Sequence, residues 1–246
     1  MSCVIVTGAA GGIGQALVRA FTDTGRLVIA TDLGTQPEGL PCHRYIACDL
    51  ARMVADPGYG EAWFTSVRAA LDGHSLDALI NNAAVQVLGE IDTLDRASWH
   101  ASLDVNVLAP FLLVQGLRAE LEQAAGVVLN ISSIHARLTK ARFTAYATSK
   151  AALSGMTRAM AVELGGRIRF NAIEPAAIAT PMLQAGFAGN ESGYAQLQRF
   201  HPTGSIGAPS DLAQLACAIV ALPGAFANGS IIPFDGGIGS VLHDPG

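Results

Sequence analysis

The sequence has few charged residues and no arrangement of cysteines that would support a metal site or a disulfide framework. Of its 246 residues only 14% are charged, and the formal net charge is −5. A mildly acidic chain lacks the basic surface that binds nucleic acid, so nucleic acid is not expected as a partner. The cysteines show neither metal-ligand spacing nor disulfide density; they are Cys3, Cys42, Cys48 and Cys217. This pattern favours a reduced, cytoplasmic setting without a bound metal.

The sequence also predicts neither a signal peptide nor a membrane-spanning helix. The first residues, MSCVIVTG, contain no basic region. Glycine, proline and polar residues interrupt every apolar stretch before it reaches the ~18–20 residues that a span needs. Because 50% of the residues are hydrophobic, the chain is expected to bury a sizeable core. We therefore expect a soluble α/β protein without a membrane partner.

The beginning of the chain has the order of elements that a dinucleotide site requires. An apolar run at 3–6 leads into a glycine-rich turn and an amphipathic helix, and a second apolar run at 27–31 ends in Asp32. Glycines let the backbone approach a pyrophosphate, and a helix N-terminus offers free N–H groups and a positive dipole. The predicted contacts of the turn are Gly8, Gly12, Ile13 and Gly14. The alternative is a tight turn of some other α/β fold.

Asp32 predicts the choice of cofactor. A carboxylate at the tip of the second strand can accept hydrogen bonds from both hydroxyls of an adenosine ribose, and it would repel a 2′-phosphate. No arginine or lysine occurs at 33–36 to reverse this preference. The sequence therefore favours NAD over NADP.

Two further strand ends carry polar residues. A third strand at 45–48 is followed by Asp49 and Leu50, and Asp49 either faces the adenine amino group or caps the next helix. A fourth strand at 76–80 is followed by Asn81, Asn82, Ala83 and Ala84. The asparagine side chains are expected to tie neighbouring strands together, while the backbone lines a ligand crevice.

Asn106 lies in an apolar stretch of a segment, 98–122, that the pattern predicts as one long helix. A buried amide needs hydrogen-bond partners, because burying it bare costs about 1–3 kcal/mol. It is either an ordinary satisfied core group or part of a kink near Pro110. A fifth strand at 126–131 then delivers Ser132 and Ser133 at its carboxyl end, where ligands bind in open parallel sheets.

Tyr146 and Lys150 lie four residues apart in a predicted helix, 145–165, so their side chains share one face. A nearby ammonium favours phenolate, so Lys150 is expected to lower the pKa of Tyr146 from its usual value of roughly 10. The phenol would then transfer protons near neutral pH. Ser133, thirteen residues upstream, could hold the oxygen of a carbonyl or alcohol. Tyrosine and lysine at this spacing also occur by chance, so the rest of the chain must supply the context.

The last third of the chain predicts two more strands and a lid. A sixth strand at 169–173 is followed by Glu174 and Pro175. The segment 181–209 has no regular hydrophobic pattern, which suggests a substrate lid. Ser210 and Asp211 are expected to cap a helix before a last strand at 230–232. No internal boundary is evident, so the whole chain, 1–246, is predicted as a single domain of alternating strands and helices.

With these features in place, the chain resembles the compact type of the short-chain dehydrogenase/reductase family over nearly its whole length. The resemblance implies a doubly wound parallel α/β sheet (Rossmann fold) with about seven strands flanked by helices. It implies that Tyr146 is the general acid/base, that Ser133 stabilises the reacting oxygen, and that Lys150 lowers the tyrosine pKa and holds the nicotinamide ribose. Asn106 would anchor a water that relays protons to Lys150. The implied cofactor contacts are Gly8, Gly12, Ile13, Gly14, Asp32, Asp49, Leu50, Asn82, Ala83, Ala84, Tyr146, Lys150, Ile178 and Thr180.

Three residues depart from the family pattern. Ala84 and Ala176 stand where the family has glycine, and Glu174 is unusual before Pro175. If position 176 needs a positive φ, alanine costs roughly 1 kcal/mol there, and the nicotinamide loop would sit differently. Glu174 could lie near the nicotinamide end of the site.

The resulting hypothesis is an NAD-dependent oxidoreductase that transfers a hydride between nicotinamide and a secondary alcohol or ketone. The basic cluster His135, Arg137, Lys140 and Arg142 suggests an anionic hydroxy acid or acyl substrate, although a solvated loop or a subunit contact explains it equally well. The alternatives are an NADPH-dependent carbonyl or ketoacyl reductase and an NAD(H)-binding sensor without turnover. The resemblance also implies a homo-oligomer, tetramer or dimer.

Overall fold

The computed structural model describes residues 1–242, and seven parallel strands form its centre. Their order in the sheet is β3-β2-β1-β4-β5-β6-β7, so the chain winds outward in both directions from β1 and β4. The strands are β1 Ser2–Thr7, β2 Leu27–Thr31, β3 Arg44–Tyr45, β4 Ser75–Asn81, β5 Val127–Ile131, β6 Arg169–Pro175 and β7 Ile231–Phe234. The predicted doubly wound parallel sheet is confirmed. Because all strands are parallel, their carboxyl ends meet at one edge.

Helices cover both faces of the sheet and enclose two hydrophobic cores. The helices are α1 Gly12–Asp23, α2 Leu50–Ala55, α3 Pro57–Leu71, α4 Arg96–Leu103, α5 Ala109–Gly116, α6 Arg118–Gln123, α7 Thr144–Leu164, α8 Pro181–Gly186, α9 Glu191–Phe200 and α10 Pro209–Ala221. One core joins the sheet to α1 and α10 through side chains such as Leu17, Phe21 and Leu212. The other joins it to α2, α3 and α5 to α7 through side chains such as Trp63 and Leu113.

The prediction of one uninterrupted helix over 98–122 is wrong. A π-helical turn, Asp104–Leu108, separates α4 from α5, and α6 begins only after Leu117. Pro110 stands in the first turn of α5, where its missing N–H removes no helical hydrogen bond. The segment Arg96–Gly116 is long and apolar enough to resemble a membrane span, with a mean hydropathy of 1.2, a property shared by core helices of soluble proteins. In this fold it packs against α2 and α7.

The segment expected to be irregular, 181–209, contains two capped helices. Thr180 Oγ1 accepts a hydrogen bond from Leu183 N–H and caps α8, and Asn190 caps α9 in the same way. The expected cap of α10 by Ser210 and Asp211 is wrong by two residues, because Pro209 already opens the helix after Ala208. The first difference arises from side-chain caps and the second from the proline that opens α10, and hydrophobic periodicity predicts neither.

Candidate active site

The glycine turn brings the start of α1 to the carboxyl edge of the sheet. Gly8 has φ +65°, and a Cβ there would lie 2.7 Å from Ala83 Cα. A side chain at Gly14 would collide with the backbone of Gly8. The helix begins at Gly12 after Gly11, with no side chain capping it and no acidic residue in its first turn. Free N–H groups and a positive helix end beside a glycine cradle fit the pyrophosphate of a dinucleotide.

Thr7 and Asn82 lock this turn to the end of β4. Thr7 Oγ1 accepts hydrogen bonds from the N–H groups of Asn82 and Ala83, both at 3.0 Å. Asn82 Nδ2 donates to the carbonyls of Thr7 and Gly8 at 2.9 and 3.1 Å. The side chain of Asn82 therefore shapes the turn, which leaves the backbone of Ala83 and the exposed Ala84 to line the crevice.

Asp32 contacts the glycine turn directly. Its Oδ2 accepts a hydrogen bond from Ala10 N–H at 2.9 Å, and its Oδ1 accepts one from Leu33 N–H at 2.7 Å. Each carboxylate oxygen can accept a further hydrogen bond. The half-buried carboxylate is thus oriented by backbone donors and keeps acceptor capacity for ribose hydroxyls.

Of the two roles expected for Asp49, adenine contact or helix cap, the structure shows the helix cap. Its Oδ1 accepts a hydrogen bond from Arg52 N–H at 3.1 Å, so Asp49 caps α2. Leu50 buries its side chain in the core, and Ile13 packs against the core on the other face. Leu50 can therefore offer a ligand only its backbone, whereas the half-buried side chain of Ile13 keeps some exposed surface.

Asn106 is a fully buried residue in the π-helical turn, and its amide is completely used. Oδ1 accepts a hydrogen bond from Val85 N–H at 2.8 Å, and Nδ2 donates to Val85 O and to Ser149 Oγ, both at 2.9 Å. Both amide hydrogens are donated to protein atoms. The water that the family resemblance assigns to Asn106 would have to be held by its backbone.

Ser133, Tyr146 and Lys150 come together at the carboxyl end of β5. The hydroxyl of Ser133 is close enough to the phenol of Tyr146 to lower its pKa. Lys150 Nζ lies 5.8 Å from the centre of the Tyr146 ring and donates to the carbonyl of Ile131 at 2.8 Å. Lys150 is buried, and two of its three N–H groups remain for other acceptors. The three side chains predicted to act together therefore form one cluster.

Burial dominates the electrostatics of this cluster. It lowers the pKa of Lys150 to about 8, so the ammonium is still mostly charged at neutral pH. Burial raises the pKa of Tyr146 above its ordinary value, and the hydrogen bond from Ser133 lowers it by less. The expectation that Lys150 lowers the pKa of Tyr146 is therefore not met in the protein without bound cofactor. The desolvation of the phenol is the larger effect.

The loop after β6 faces the glycine turn. A Cβ on Gly12 would lie 3.1 Å from side-chain atoms of Thr180 and Pro181. Ile178 is buried and forms a short parallel bridge with Gly207, which fixes the loop. Ala176 does not have a positive φ, and its N–H continues the sheet by donating to Phe234 O at 3.0 Å. The strain considered for alanine at this position does not arise.

The four basic residues after Ser133 do not act as one cluster. Arg137 forms ion pairs with Glu174 and Asp235. His135 stacks on Phe143 with ring centres 4.2 Å apart, and burial together with Lys140 lowers its pKa to about 4, so it is neutral at physiological pH. Lys140 and Arg142 are exposed. Only these two could offer a charge to an anionic substrate.

Several residues of the site were not singled out from the sequence. Ser149 and Ser154 are on the buried face of α7, where they contact Asn106 and Glu174 respectively. A serine among alanines gives little signal in a sequence. Glu174 does give one, because a carboxylate at the end of a buried strand requires a cationic or hydroxyl partner.

The chain has relatives among known proteins over its whole length. Residues 8–239 match a family model described as enoyl-(acyl carrier protein) reductase. D-threitol dehydrogenase of Mycolicibacterium smegmatis is 31% identical, and the match covers 95% of this chain and 91% of that protein. The structure is similar to ligand-free aldohexose dehydrogenase of Thermoplasma acidophilum, with a TM-score of 0.91, 26% identity and coverage of 100% and 96%. It is also similar to 4-hydroxyisoleucine dehydrogenase complexed with NADH, with a TM-score of 0.86, 26% identity and coverage of 98% and 100%.

Proposed function

The chain belongs to the short-chain dehydrogenase/reductase family, and from this premise we propose that it is an NAD-dependent oxidoreductase acting on a secondary alcohol or ketone. The observation that carries the proposal is the cluster of Ser133, Tyr146 and Lys150. It lies at the same sheet edge as the open N-terminus of α1 and the oriented carboxylate of Asp32. This arrangement supports a proton-transfer role for the cluster, next to a site that fits a dinucleotide.

When bound, NAD supplies the hydride acceptor, and the protein supplies orientation and proton transfer. In the oxidative direction the phenol oxygen of Tyr146 takes the proton of the substrate hydroxyl. Ser133 Oγ hydrogen-bonds the same substrate oxygen and holds it next to the phenol. Because burial raises the pKa of Tyr146, the phenolate depends on this serine and on the charge of Lys150. Lys150 also offers its two remaining N–H groups to the ribose.

Asp32 supports NAD as the cofactor. Its two oxygens are fixed by backbone N–H groups and can accept ribose hydroxyls, whereas a phosphate at the 2′ position would meet a negative charge. The rest of the dinucleotide would contact Gly8, Gly12 and Thr180. NADPH-dependent reduction of a carbonyl or ketoacyl group is the second candidate, favoured by the description of the matching family model.

The substrate class is proposed from the charges that remain in the loop after Ser133. The relatives are named for a polyol, for aldohexoses and for an amino acid, so neutral and carboxylate-bearing substrates both occur among them. An anionic hydroxy acid would be bound by Lys140 or Arg142, because Arg137 is already paired with two carboxylates. The helices α8 and α9 would close over the substrate as a lid. A neutral polyol is the alternative.

The cellular setting and assembly are part of the same proposal. We expect a cytoplasmic enzyme that forms a homo-oligomer, dimer or tetramer. Exposed apolar side chains in the π-helical turn (Leu108), on α5 (Phe111) and on α7 (Val162) provide surfaces that a second copy could cover. Light scattering of the purified protein measures the assembly directly.

The test is a fluorescence titration of the purified protein with NADH and NADPH, followed by a panel of hydroxy acids, polyols and other secondary alcohols with NAD. We expect tighter binding of NADH and NAD reduction with at least one alcohol. A preference for NADPH would favour the reductase. Tight NADH binding without turnover, in both the wild type and Tyr146→Phe, would favour a sensor.

A further inference from the structure

Arg137 joins three parts of the chain at the carboxyl edge of the sheet. Its Nε donates to Glu174 Oε2 at 3.1 Å, and its Nη2 donates to Asp235 Oδ2 at 2.8 Å. Glu174 lies near the end of β6, Asp235 follows β7, and Arg137 follows the short 3₁₀ turn after Ser133. The loop that carries Ser133 is thus tied to the ends of two neighbouring strands.

Glu174 extends this connection into α7. Its side chain is 4% exposed, and its second oxygen accepts a hydrogen bond from Ser154 Oγ at 2.9 Å. Ser154 Oγ lies 2.8 Å from Ser132 Oγ, which also contacts the backbone carbonyl of Lys150 at 3.0 Å. A buried carboxylate is stable only when it is paired and hydrogen-bonded, and both oxygens of Glu174 meet that condition. The network therefore surrounds the segment that holds Ser133.

Hydrogen bonds within the turn connect Ser133 to Arg137. His135 N–H donates to Ser133 Oγ at 3.2 Å, and Ala136 N–H donates to Ser133 O at 2.9 Å. Arg137 N–H then donates to Ile134 O at 3.1 Å. Because every residue of this turn is hydrogen-bonded to another, a displacement of Arg137 moves Ser133.

The ion pair between Arg137 and Asp235 fits because Gly239, packed against it, has no side chain. A Cβ at this position would lie 2.5 Å from Asp235 Oδ2 and 2.7 Å from Arg137 Nη2. A methyl group there would push the two side chains apart without removing a charge. The short 3₁₀ turn Ile238–Ser240 therefore packs against the guanidinium.

We propose that Arg137 is a positioning residue, which together with Glu174 and Asp235 fixes the loop so that the hydroxyl of Ser133 stays beside the phenol of Tyr146. The inference rests on the proposed function, in which these two residues act on the substrate oxygen. It replaces the hypothesis that Arg137 binds an anionic substrate, because its charge is matched by two carboxylates. The network is a structural support for the reaction and not a substrate contact.

Two variants test this role. Arg137→Met combined with Glu174→Gln removes the buried ion pair as a whole, so the carboxylate of Glu174 is not left unpaired. Asp235, whose side chain is 10% exposed, loses Arg137 but keeps the hydrogen bond from Gly237 N–H at 3.0 Å. Gly239→Ala displaces the guanidinium and keeps every charge. In both we expect kcat to fall at least about 10-fold, because small displacements of catalytic groups slow the reaction strongly, while the Kd for NADH stays within about 2-fold.

The pH profile separates positioning from a general loss of stability. The hydrogen bond from Ser133 lowers the pKa of Tyr146, so its loss should move the rise of kcat/KM to higher pH. The ionisable neighbours of the phenol, Lys150 and His135, are unchanged in both variants. Arg118→Ala is the matched control, because it breaks a surface ion pair with Glu122 of 2.9 Å on α6, which precedes β5, whereas the loop follows the opposite end of that strand. It should keep the kcat and pH profile of the wild type, and a double variant that does the same overturns the proposal.

Hydrogen exchange measured by mass spectrometry reports on the mobility of the loop and does not require the enzyme to turn over a substrate. The peptide covering 133–143 should exchange faster in the double variant than in the wild type and in Arg118→Ala. Unchanged exchange overturns the role of Arg137. If the wild type turns over no substrate on the panel, the proposed function fails, and the exchange measurement still decides whether Arg137 holds the loop.

Discussion

Asn106 pairs with Val85 as a neighbouring strand would, because its side-chain amide binds both backbone polar groups of that residue. The N–H of Val85 donates to Oδ1 at 2.8 Å, and Nδ2 donates to the carbonyl at 2.9 Å. A second bond from Nδ2 reaches Ser149 on α7 at 2.9 Å. One amide in a π-helical turn thus joins the segment after β4, which we propose lines the cofactor crevice, to the helix that carries Tyr146 and Lys150.

Replacing Asn106 by leucine should therefore weaken both stability and catalysis. The two polar groups of Val85 would lose their partners, and we expect a loss of about 1–3 kcal/mol in the free energy of unfolding, measured by urea denaturation. Asn106→Asp would place a buried carboxylate oxygen against the carbonyl of Val85, so near neutral pH it should be at least as destabilising as the leucine variant. A leucine variant as stable as the wild type would show that water replaces the amide.

Replacing Tyr146 by phenylalanine should abolish proton transfer and leave the fold intact. We expect kcat to drop by about 10²–10⁴-fold, the usual contribution of general acid–base catalysis. The Kd for NADH should change little, because the lost hydroxyl lies beside that of Ser133. Steady-state kinetics and a fluorescence titration measure the two quantities. A variant with nearly full activity would remove Tyr146 from the mechanism.

Asp32→Ala should reverse or erase the cofactor preference. Loss of a charged acceptor for the ribose hydroxyls is expected to weaken NADH binding by roughly 10–100-fold, since hydrogen bonds to charged groups contribute about 1.5–3 kcal/mol. NADPH binding should weaken less or improve, because the repulsion of the 2′-phosphate disappears. Asp23→Ala, which changes an exposed carboxylate of α1, is the control with wild-type affinities. Equal losses for both cofactors would contradict this role of Asp32.

Lys150→Met should produce a more stable but inactive protein. Burial lowers the pKa of Lys150 from 10.5 to about 8, and keeping the ammonium charged at neutral pH therefore costs about 3 kcal/mol. Part of this gain is lost with the hydrogen bond to Ile131. We expect the free energy of unfolding at pH 7 to rise by about 1–2 kcal/mol. The stability advantage of the variant should shrink as the pH rises from 8 towards 10.5, because over this range the lysine is neutral in the folded protein and still charged in the unfolded chain.

His135 should make the protein sensitive to moderate acid. Its pKa is lowered from 6.5 to about 4, first by burial and then by Lys140, so the folded protein resists protonation more than the unfolded chain does. The unfolded state then binds more protons between these values, and stability falls as the pH drops from 6.5 towards 4. His135→Phe preserves the stacking surface for Phe143. Its melting temperature should decline less over this range, and an equal decline would contradict the assignment.

The sequence predicts the fold and the main chemistry because both depend on local patterns. Each buried strand is a short apolar run, and the glycine turn, Asp32 and the pair Tyr146 and Lys150 follow strand ends at fixed positions. The parallel arrangement of the strands then brings these positions to one edge. Cofactor preference, residue roles and substrate stay predictions that the experiments above address.

Other features depend on contacts between distant residues and could not be predicted. The π-helical turn around Asn106 follows from partners on two other segments, and helical periodicity cannot register it. The basic residues after Ser133 looked like a charged cluster because the carboxylates that pair with Arg137 occur much later in the sequence. Burial raises the pKa of Tyr146 against the expected direction, since spacing indicates neighbours but not desolvation.

The ion pair between Arg137 and Asp235 joins residues 98 positions apart, and this distance has a consequence for biosynthesis. The strands whose ends form the proposed dinucleotide site, β1, β2 and β4, leave the ribosome early and can pair with each other. The loop carrying Ser133 receives its last anchor only when β7 has been translated and has docked on β6. Contacts of such long range close slowly, because the entropy of the intervening chain must be lost first. The nascent protein would therefore acquire the ability to bind a dinucleotide before it acquires the ability to turn over a substrate.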